Sequence, residues 1–553
     1  MKSFIDQLRW LFDPKDKRKF ISITFLMALS ALLELLGISI LLGAAAVFLS
    51  PQSEIACRTS QIMAALLPGI PERYHIALAI AAIGILLAAK NIFAAWIVSL
   101  QSRFIFAKRN ELAKRLFKTY LSADYETFSR LSNDYCFNSF NRLTEMGNLV
   151  LLPSMQVLAD VMVIAILTFA AVYLYPVISL SGIGFMLLTA LTVSTISGRA
   201  NKKYGRQQLE YSLIESRMRQ TGICGKKTIS CAAKSNFFLE KFVVSHQNLN
   251  DIYRKLYNLG QLPRLSLESA SVLLAGGVFA VMILLEVPHS EIMLTFAILT
   301  AVIGRILPAI SRCHYNLTLI RQHIPLLESF CRDLRTIPSE SAATGPAADA
   351  GNVIEFKELT FAYQGGEKIF DKFDLTIEPK TSLAIAGRSG RGKSTLVDLL
   401  LGLLKPSSGT ISAGNIPINN DLDAWRKQIG IVPQNIFLLE GSVAENVAFG
   451  EENIDLDKVK NALQLAGLSD FAPEFELTAQ GNLSGGQRQR IGIARALYHE
   501  VKILICDEAT SALDAETENA FCEVLQELKG KVTLIVISHR ESTLDACDRK
   551  IIL

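Results

Sequence analysis

The chain has 553 residues, of which 50% are hydrophobic, and its formal net charge is +4 at pH 7. This length exceeds what one hydrophobic core can serve, so at least two domains are expected. The charge is modest and spread along the chain, and therefore predicts no nucleic-acid partner. The nine cysteines include no C-x-x-C pair, which argues against a disulfide framework or a zinc site.

Six apolar segments are long enough to cross a bilayer. They lie at about 20–49, 76–100, 149–173, 176–198, 265–287 and 291–311. The intervening segments 101–148 and 199–264 are long and rich in lysine and arginine, so the positive-inside rule places them and the N-terminus in the cytoplasm. The pattern predicts a multi-pass protein of a bacterial-type cytoplasmic (inner) membrane.

Both long cytoplasmic segments keep a helical pattern, so the membrane helices are predicted to continue beyond the bilayer. Turns near Asp124–Ser132 and Tyr211–Gly222 would then reach farthest into the cytoplasm and contact a soluble domain. The alternative is an amphipathic cytoplasmic coil with no partner. A further short helix is predicted within 52–74, where it either lies in the outer interface or caps the helix bundle.

A change in composition after Phe330 marks the end of the helical part. The small residues of Pro338–Pro346 predict a linker. The predicted domains are a transmembrane domain at 1–337, a linker at 338–351 and a soluble α/β domain at 352–553. Strands predicted in the last of these are Val353–Phe356, Ser382–Ala386, Ile503–Cys506 and Thr533–Ile537.

The segment 387–395 reads GRSGRGKST and directly follows a predicted strand. Its spacing is that of a phosphate-binding loop, in which backbone N–H groups surround an anion, Lys393 adds a positive charge and Ser394 binds Mg²⁺. A helix that opens near Lys393 points its positive end at the same phosphates. The predicted nucleotide-binding residues here are Gly387, Arg388, Ser389, Gly390, Arg391, Gly392, Lys393, Ser394 and Thr395.

Two further stretches extend this chemistry. Asp507 and Glu508 end a buried-type strand, where Asp507 suits the Mg²⁺ shell and Glu508 suits the polarisation of a water in line with the γ-phosphate. Leu483–Gln487 opens a helix, which provides a second anion-binding N-terminus. One nucleotide loop has no use for two such termini, so Ser484 and Gly486 are predicted to complete the nucleotide site of another copy.

Leu483–Gln487 is identical to the signature of the ATP-binding cassette (ABC) transporter family, and 387–395 resembles the family's Walker A loop. This resemblance covers the whole chain. It implies an exporter-type half-transporter: an all-α domain of six transmembrane helices with long cytoplasmic extensions, followed by an α/β P-loop ATPase domain. It also implies a homodimer that uses ATP and Mg²⁺, with both nucleotides held between the two ATPase domains.

The resemblance also implies roles for individual residues. It assigns adenine stacking to Tyr363, catalysis to Lys393, Glu508 and His539, and a place in the D-loop to Asp514. The implied Mg²⁺ ligands are Ser394, Gln434 and Asp507, and the implied contacts with the partner's ATP are Ser484, Gly485, Gly486 and Gln487.

Basic residues inside the apolar segments give an indication of the transported substrate. Lys90, Arg264, Arg305 and Arg312 each cost roughly 2.5–3.5 kcal/mol at mid-bilayer, and they predict a cationic cavity near the inner leaflet for an anionic lipid head group. The alternative is that they extend to the interface or pair with Glu34, Asp160 or Glu268.

Among exporters, the stretch Arg305–Pro308 with Arg312 resembles the PglK-type flippases. That resemblance implies a lipid-linked (pyrophosphate) oligosaccharide as substrate, moved from the inner to the outer leaflet. A peptide or multidrug exporter is the alternative, because it would share all the ATPase motifs. A non-transporting regulatory ABC protein is disfavoured, because the predicted catalytic set is complete.

Overall fold

The computed structural model divides the chain into two compact units. One consists of Met1–Leu121 and Leu131–Ile337, and the other of Ser122–Arg130 and Pro338–Leu553. The residues described are 2–49, 54–66, 72–131, 133–174, 176–339, 345–363, 365–388, 390–478, 483–509 and 515–553.

The first unit consists of helices. In chain order these are α1 Lys2–Leu11, α2 Pro14–Leu49, α3 Glu54–Leu66, α4 Glu72–Leu121, α6 Asn133–Met146, α7 Leu152–Leu174, α8 Pro176–Cys224, α9 Lys226–Cys231, α10 Ser235–Leu284 and α11 His289–Thr336; the short α5, Tyr125–Ser129, belongs to the second unit. A π-helical turn, Gly147–Leu151, joins α6 to α7. Helix α8 packs along α10, α7 along α11, and α2 along α4.

This unit is a helical membrane domain. Within the described residues, four stretches are long and apolar enough to cross a bilayer: Pro14–Gly37, Gly84–Leu121, Tyr135–Ala170 and Ser235–Leu284. They overlap the first, second, third and fifth predicted segments. The fourth and sixth predicted segments lie in α8 and α11, where several side chains fall outside the described set.

The membrane helices continue well past the apolar segments, as predicted. A turn at the first predicted position is confirmed, since α4 ends at Leu121 and Asp124 caps α5 by accepting from the Thr127 N–H. The second is wrong, because α8 runs through Tyr211–Gly222 to Cys224. Strong helix formers fill that stretch, so the reversal comes later, on either side of α9.

A buried lysine ties the junction of α1 and α2 to α4. The Lys108 ammonium lies 2.7 Å from Asp16, 2.9 Å from Glu111 and 3.6 Å from Asp13, and its side chain is 2% exposed. The three carboxylates lie close enough together to hold a metal ion. The ammonium already contacts each of them, so this cluster is a network of ion pairs that stabilises the helical unit.

The second unit is an α/β domain with two main sheets. Its strands are β1 Ile354–Ala362, β2 Lys368–Ile377, β3 Ser382–Ala386, β4 Ser408–Ala413, β5 Ile416–Pro417, β6 Ile429–Val432, β7 Gly441–Ser442, β8 Glu476–Leu477, β9 Ile503–Asp507, β10 Thr533–Ile537 and β11 Arg549–Ile552. Its helices, besides α5, are α12 Lys393–Leu400, α13 Leu422–Arg426, α14 Val443–Val447, α15 Leu456–Leu465, α16 Gly485–Tyr498, α17 Ala515–Leu528 and α18 Glu541–Asp545.

The strand order determines where the sequence motifs meet. One sheet is parallel throughout, in the order β11-β3-β10-β9-β6, and the other is antiparallel, in the order β2-β1-β4-β5. Strands β3 and β10 occupy their predicted positions, while β1 is longer than predicted and β9 extends to Asp507. The antiparallel sheet was not predicted, because β2 and β4 carry exposed polar residues along much of their length.

The core beneath the phosphate-binding loop is centred on Trp425 of α13. Its side chain is fully buried, and its indole N–H donates to the Leu400 carbonyl at the end of α12, at 2.8 Å. Arg426 donates to the carbonyls of Leu401 and Gly402 that follow. These contacts satisfy the carbonyl end of α12 and fix its position against the parallel sheet.

Replacement of Trp425 by Ala is expected to lower the free energy of unfolding of this unit by about 3–5 kcal/mol, since it leaves a cavity in a packed core. Thermal unfolding of the full-length protein measures the change. Trp425→Phe keeps most of the volume and loses only the hydrogen bond, so it should cost less. Equal unfolding temperatures for wild type and Trp425→Ala would contradict this account of the core.

Candidate functional site

Four adjacent strands of the parallel sheet bring the predicted motifs to one edge. The phosphate-binding loop follows β3, His539 follows β10, Glu508 follows β9 and Gln434 follows β6. The strands are parallel, so their carboxyl ends lie at the same edge, where α/β folds place their ligands. Residues as far apart in the chain as Lys393 and His539, which are separated by 146 positions, therefore meet in one site.

The phosphate-binding loop closes around the side chain of Lys393. Its ammonium donates to the carbonyl oxygens of Gly387, at 2.9 Å, and Arg388, at 3.3 Å. Gly392, directly before it, has a φ of 94°, and a Cβ there would lie 2.5 Å from the Ile369 side chain. Only glycine fits this position, which brings the start of α12 close to the loop.

Asp507 carries an oxygen that lacks a partner. Its Oδ1 is buried and has no hydrogen-bond partner among the described residues. Burial raises the pKa of Asp507 above the usual aspartate value, and a hydrogen bond with Ser394 counteracts that rise. Leaving such an acceptor unpaired costs roughly 1–3 kcal/mol. A cation would remove that cost, and oxygen ligands of this kind are those that Mg²⁺ prefers.

Asp398 adds a second acid that the sequence analysis missed. Burial, and then the negative charge of Asp507, raise the pKa of the Asp398 carboxyl to about 6. A carboxylate in the otherwise apolar stretch Leu396–Leu404 was the available signal. Together the two acids make this end of the site strongly negative, which favours a bound cation.

Glu508 contacts two of the predicted polar side chains. The Gln434 amide donates to Glu508 Oε2 at 3.1 Å, and His539 Nε2 lies 3.3 Å from Glu508 Oε1. Glu508 has a φ of 49°, a left-handed conformation that is uncommon for residues other than glycine and concentrates at functional sites. The neighbouring strand holds this strained residue, because its N–H donates to the Ile537 carbonyl.

His539 links Glu508 to the phosphate-binding loop. Its Nε2 lies 3.1 Å from the Lys393 ammonium as well as 3.3 Å from Glu508. An ammonium can only donate, so Nε2 accepts from Lys393 when the ring proton is on Nδ1 and donates to Glu508 when it is on Nε2. The histidine can therefore exchange its partner by a change of tautomer.

Tyr363 lies beside the loop with its side chain 40% exposed. Its hydroxyl is 3.4 Å from the Thr395 hydroxyl at the first turn of α12. Burial, and then the charges of Asp398 and Tyr363, raise the pKa of Tyr125 in α5. Part of the first predicted turn, Ser122–Arg130, thus belongs to the unit that carries the nucleotide loop.

The signature residues begin α16 but stand apart from this hydrogen-bonded group. Ser484 and Gln487 form a reciprocal cap, in which the Ser484 hydroxyl accepts from the Gln487 N–H and the Gln487 amide oxygen accepts from the Ser484 N–H. Among the described residues, the hydrogen bonds of Ser484 run only to Gln487 and Arg488. Ser484 and Gly485 are exposed, while Gly486 is buried.

Two of the predicted residues are not described, and four others are exposed on the loop. Ser389 and Asp514 lie outside the described residues. Arg388, Gly390, Arg391 and Ser394 are exposed along the loop. Of the predicted nucleotide and metal residues, the structure therefore brings together those of the loop, Gln434, Asp507, Glu508 and His539.

The basic residues of the helical unit have acidic partners. Glu34 Oε1 lies 3.4 Å from the Lys90 ammonium and 3.5 Å from Arg305 Nη1. The Arg312 guanidinium donates to Asp160 Oδ1 from Nη2 at 2.8 Å and from Nε at 3.2 Å. The pairing alternative thus holds for three of the four residues, yet the Arg305 and Arg312 side chains remain 44% and 61% exposed.

Arg264 differs from these three. It is exposed on α10, directly after the buried Pro263, and the described residues provide no ion pair for it. Its predicted place in a cation cluster therefore remains a prediction.

Comparison with known proteins agrees with this geometry. Residues 370–511 match the sequence model of the ABC transporter family. The C-terminal unit contains an ABC domain. The whole chain shares its fold with a solved bacterial Atm1-family ABC exporter with ATP bound, with a TM-score of 0.76 and 20% identity over 98% of this chain and 94% of the other.

Curated relatives of this ABC domain include proteins named ATP-dependent lipid A-core flippase. The one from Xylella fastidiosa (strain 9a5c) is 31% identical over 390 residues, 66% of this chain and 65% of the relative. The one from Burkholderia orbicola (strain AU 1054) is 40% identical over 226 residues, 39% of this chain and 38% of the relative. In each case the chain spans less than two-thirds of the relative's length.

Glu508→Gln is expected to retain ATP binding by the ABC domain and to lower ATP turnover by orders of magnitude. The amide keeps the size of the side chain but cannot act as a carboxylate toward the attacking water. Phosphate release and nucleotide retention should both be measured. Glu500→Gln, the same change at an exposed surface position, serves as the control and should keep the wild-type rate. Turnover near wild type in Glu508→Gln would remove Glu508 from this role.

Proposed function

We propose that the chain is half of an ATP-driven exporter that flips an anionic, lipid-linked (pyrophosphate) oligosaccharide from the inner to the outer leaflet of the cytoplasmic membrane. The observation that carries this proposal is the combination of an assembled nucleotide site with basic side chains placed among membrane helices. The N-terminus and the ABC domain lie on the cytoplasmic side in this proposal.

The residues of the ABC domain support ATP hydrolysis. The loop from Gly387 to Thr395 binds the phosphates, and Tyr363 is placed to stack on the adenine. Ser394, Gln434 and Asp507 would hold Mg²⁺, which neutralises phosphate charge when bound. Glu508 orients and polarises the attacking water, while His539 Nε2 can bind either Lys393 or Glu508, according to the tautomer of the ring.

The signature residues support a homodimer. Ser484–Gln487 present an exposed helix N-terminus whose hydrogen bonds do not reach the phosphate-binding loop of the same chain. Such a terminus binds anions. The proposal places Ser484, Gly485, Gly486 and Gln487 against the ATP of a second copy, with Asp514 in the adjoining D-loop.

The choice of a lipid anion follows from chemistry and from the relatives. Arg305 and Arg312 expose part of their guanidinium groups, which bind phosphate oxygens well. The relatives named ATP-dependent lipid A-core flippase make lipid A-core the second candidate substrate. A peptide or multidrug exporter would have no need of these cations, so stimulation of ATPase activity by peptides or drugs alone would favour it.

The homodimer leads to a test with mixed dimers. One chain carries Ser484→Arg and the other Lys393→Ala, so both lesions fall in one composite site and the other site keeps wild-type residues. About half of the wild-type nucleotide trapping is then expected to survive. The control places both substitutions in one chain of a mixed dimer with a wild-type chain, which damages each site once. Equal trapping in the two arrangements would argue that the ABC domains act singly.

The cation proposal leads to a second test. Arg305→Gln together with Arg312→Gln should abolish flipping of a polyprenyl-pyrophosphate-linked sugar in proteoliposomes and the stimulation of ATPase by that lipid. Each charge-assisted hydrogen bond contributes on the order of 1.5–3 kcal/mol, so affinity should fall at least tenfold. Arg254→Gln, on an exposed part of α10, is the matched control. Flipping at the wild-type rate in the double variant would leave a peptide or drug exporter as the better proposal.

A further inference from the structure

Glu34 is unusual because one of its oxygens serves two cations. Oε1 lies 3.4 Å from the Lys90 ammonium and 3.5 Å from Arg305 Nη1. Among the described residues, it is the only carboxylate within ion-pair distance of either cation. The three side chains come from α2, α4 and α11, so the carboxylate joins three membrane helices.

Lys90 needs this carboxylate when no ligand is bound. Its side chain is only 10% exposed, and an ammonium in such surroundings is costly unless it is paired. Arg305 is different, because 44% of its side chain is exposed and only Nη1 contacts Glu34. A guanidinium has five N–H donors, so most of those of Arg305 are open to another acceptor.

The ion pair of Arg312, the second arginine on α11, is balanced in charge. Arg312 directs both Nε and Nη2 at one oxygen of Asp160, which gives one carboxylate for one cation. At Glu34 one carboxylate serves two cations, so a positive charge remains uncompensated. Arg305 and Arg312 are seven residues apart, about 10 Å along the helix. The surplus charge is therefore local to Lys90 and Arg305.

We propose that Glu34 is a counterion that occupies the place of the substrate's anionic group and sets the charge that this group must carry. The inference rests on the proposed function. A ligand with ionised oxygens on two phosphorus atoms can replace Glu34 at both Lys90 and Arg305. A single phosphodiester carries the same single negative charge as Glu34, so it gains little by displacing a carboxylate that is already in place.

This arrangement would select against the membrane's own lipids. Anionic phospholipids with one phosphodiester surround the protein in great excess, and an open pair of cations would bind them. Glu34 lowers the net charge of the pair from two to one, and a singly charged head group only matches the carboxylate that it would displace, so it gains little by binding. Specificity would thus come from a built-in competitor as well as from attraction, a known way to obtain discrimination.

The test uses Glu34→Gln and two lipids that differ by one phosphate. The probes are N-acetylglucosamine linked to a polyprenol through pyrophosphate and through a single phosphate, each titrated against the ATPase rate of the full-length protein in nanodiscs. The wild type should respond to the pyrophosphate lipid at a concentration at least tenfold lower. In Glu34→Gln no carboxylate has to be displaced, so both lipids should act at concentrations at least tenfold lower, and the monophosphate lipid should stimulate at concentrations to which the wild type does not respond.

Control variants separate this effect from a general change of charge or packing. Glu268→Gln removes an acid from the same helical unit that makes no ion pair among the described residues, and it should leave both concentrations unchanged. An equal shift in Glu268→Gln would overturn the proposal. If Glu34→Gln does not assemble, Glu34→Asp keeps a charge for Lys90 but shortens its reach to Arg305. It should lower both concentrations, by less than the tenfold expected for Glu34→Gln, and unchanged concentrations would overturn the proposal.

Two failures can be told apart. If neither anionic lipid stimulates the wild type, the proposed function is contradicted and this inference with it. If the wild type prefers the pyrophosphate lipid and Glu34→Gln leaves both concentrations unchanged, only the role of Glu34 is contradicted. A purely structural role for Glu34 predicts weaker stimulation by both lipids in parallel, which also overturns the inference.

Discussion

The parallel pairing of β3, β10, β9 and β6 is the constraint on which the candidate site depends. Each strand ends in a different functional group, and the pairing places those ends side by side at one edge. The left-handed backbone of Glu508 is held there by the Ile537 carbonyl of the neighbouring strand. The arrangement of side chains in the candidate site is thus a consequence of the strand order, and the loops complete it.

The same edge of the parallel sheet also carries the two acids that favour a bound cation. Asp507 and Asp398 are partly buried near one another, and burial raises the pKa of both carboxyls. A folded-state pKa above the unfolded value means that these acids oppose folding once they ionise, and that the penalty is largest above their folded pKa values. A bound Mg²⁺ would relieve this cost, so the two carboxylates favour binding of the metal.

Sequence alone predicted what depends on local pattern. The phosphate-binding loop and the acidic end of β9 each have a signature within a dozen residues, and the structure places both as expected. The antiparallel sheet escaped because register shifts between β1 and β2 interrupt the alternation of apolar and polar residues. The turn at Tyr211–Gly222 was wrong because the stretch contains several good helix formers and continues α8 to Cys224.

Charges among the membrane helices show the limit of such prediction most clearly. The sequence marks Lys90, Arg305 and Arg312 as costly, but it does not say whether each is compensated, because their acidic partners lie on other helices. Folding gives Arg312 a carboxylate of its own, Asp160, and leaves Lys90 and Arg305 to share Glu34. Whether a membrane cation is structural or available to a ligand therefore depends on the ratio of cations to carboxylates at each contact. A count of basic residues along the chain does not provide that ratio.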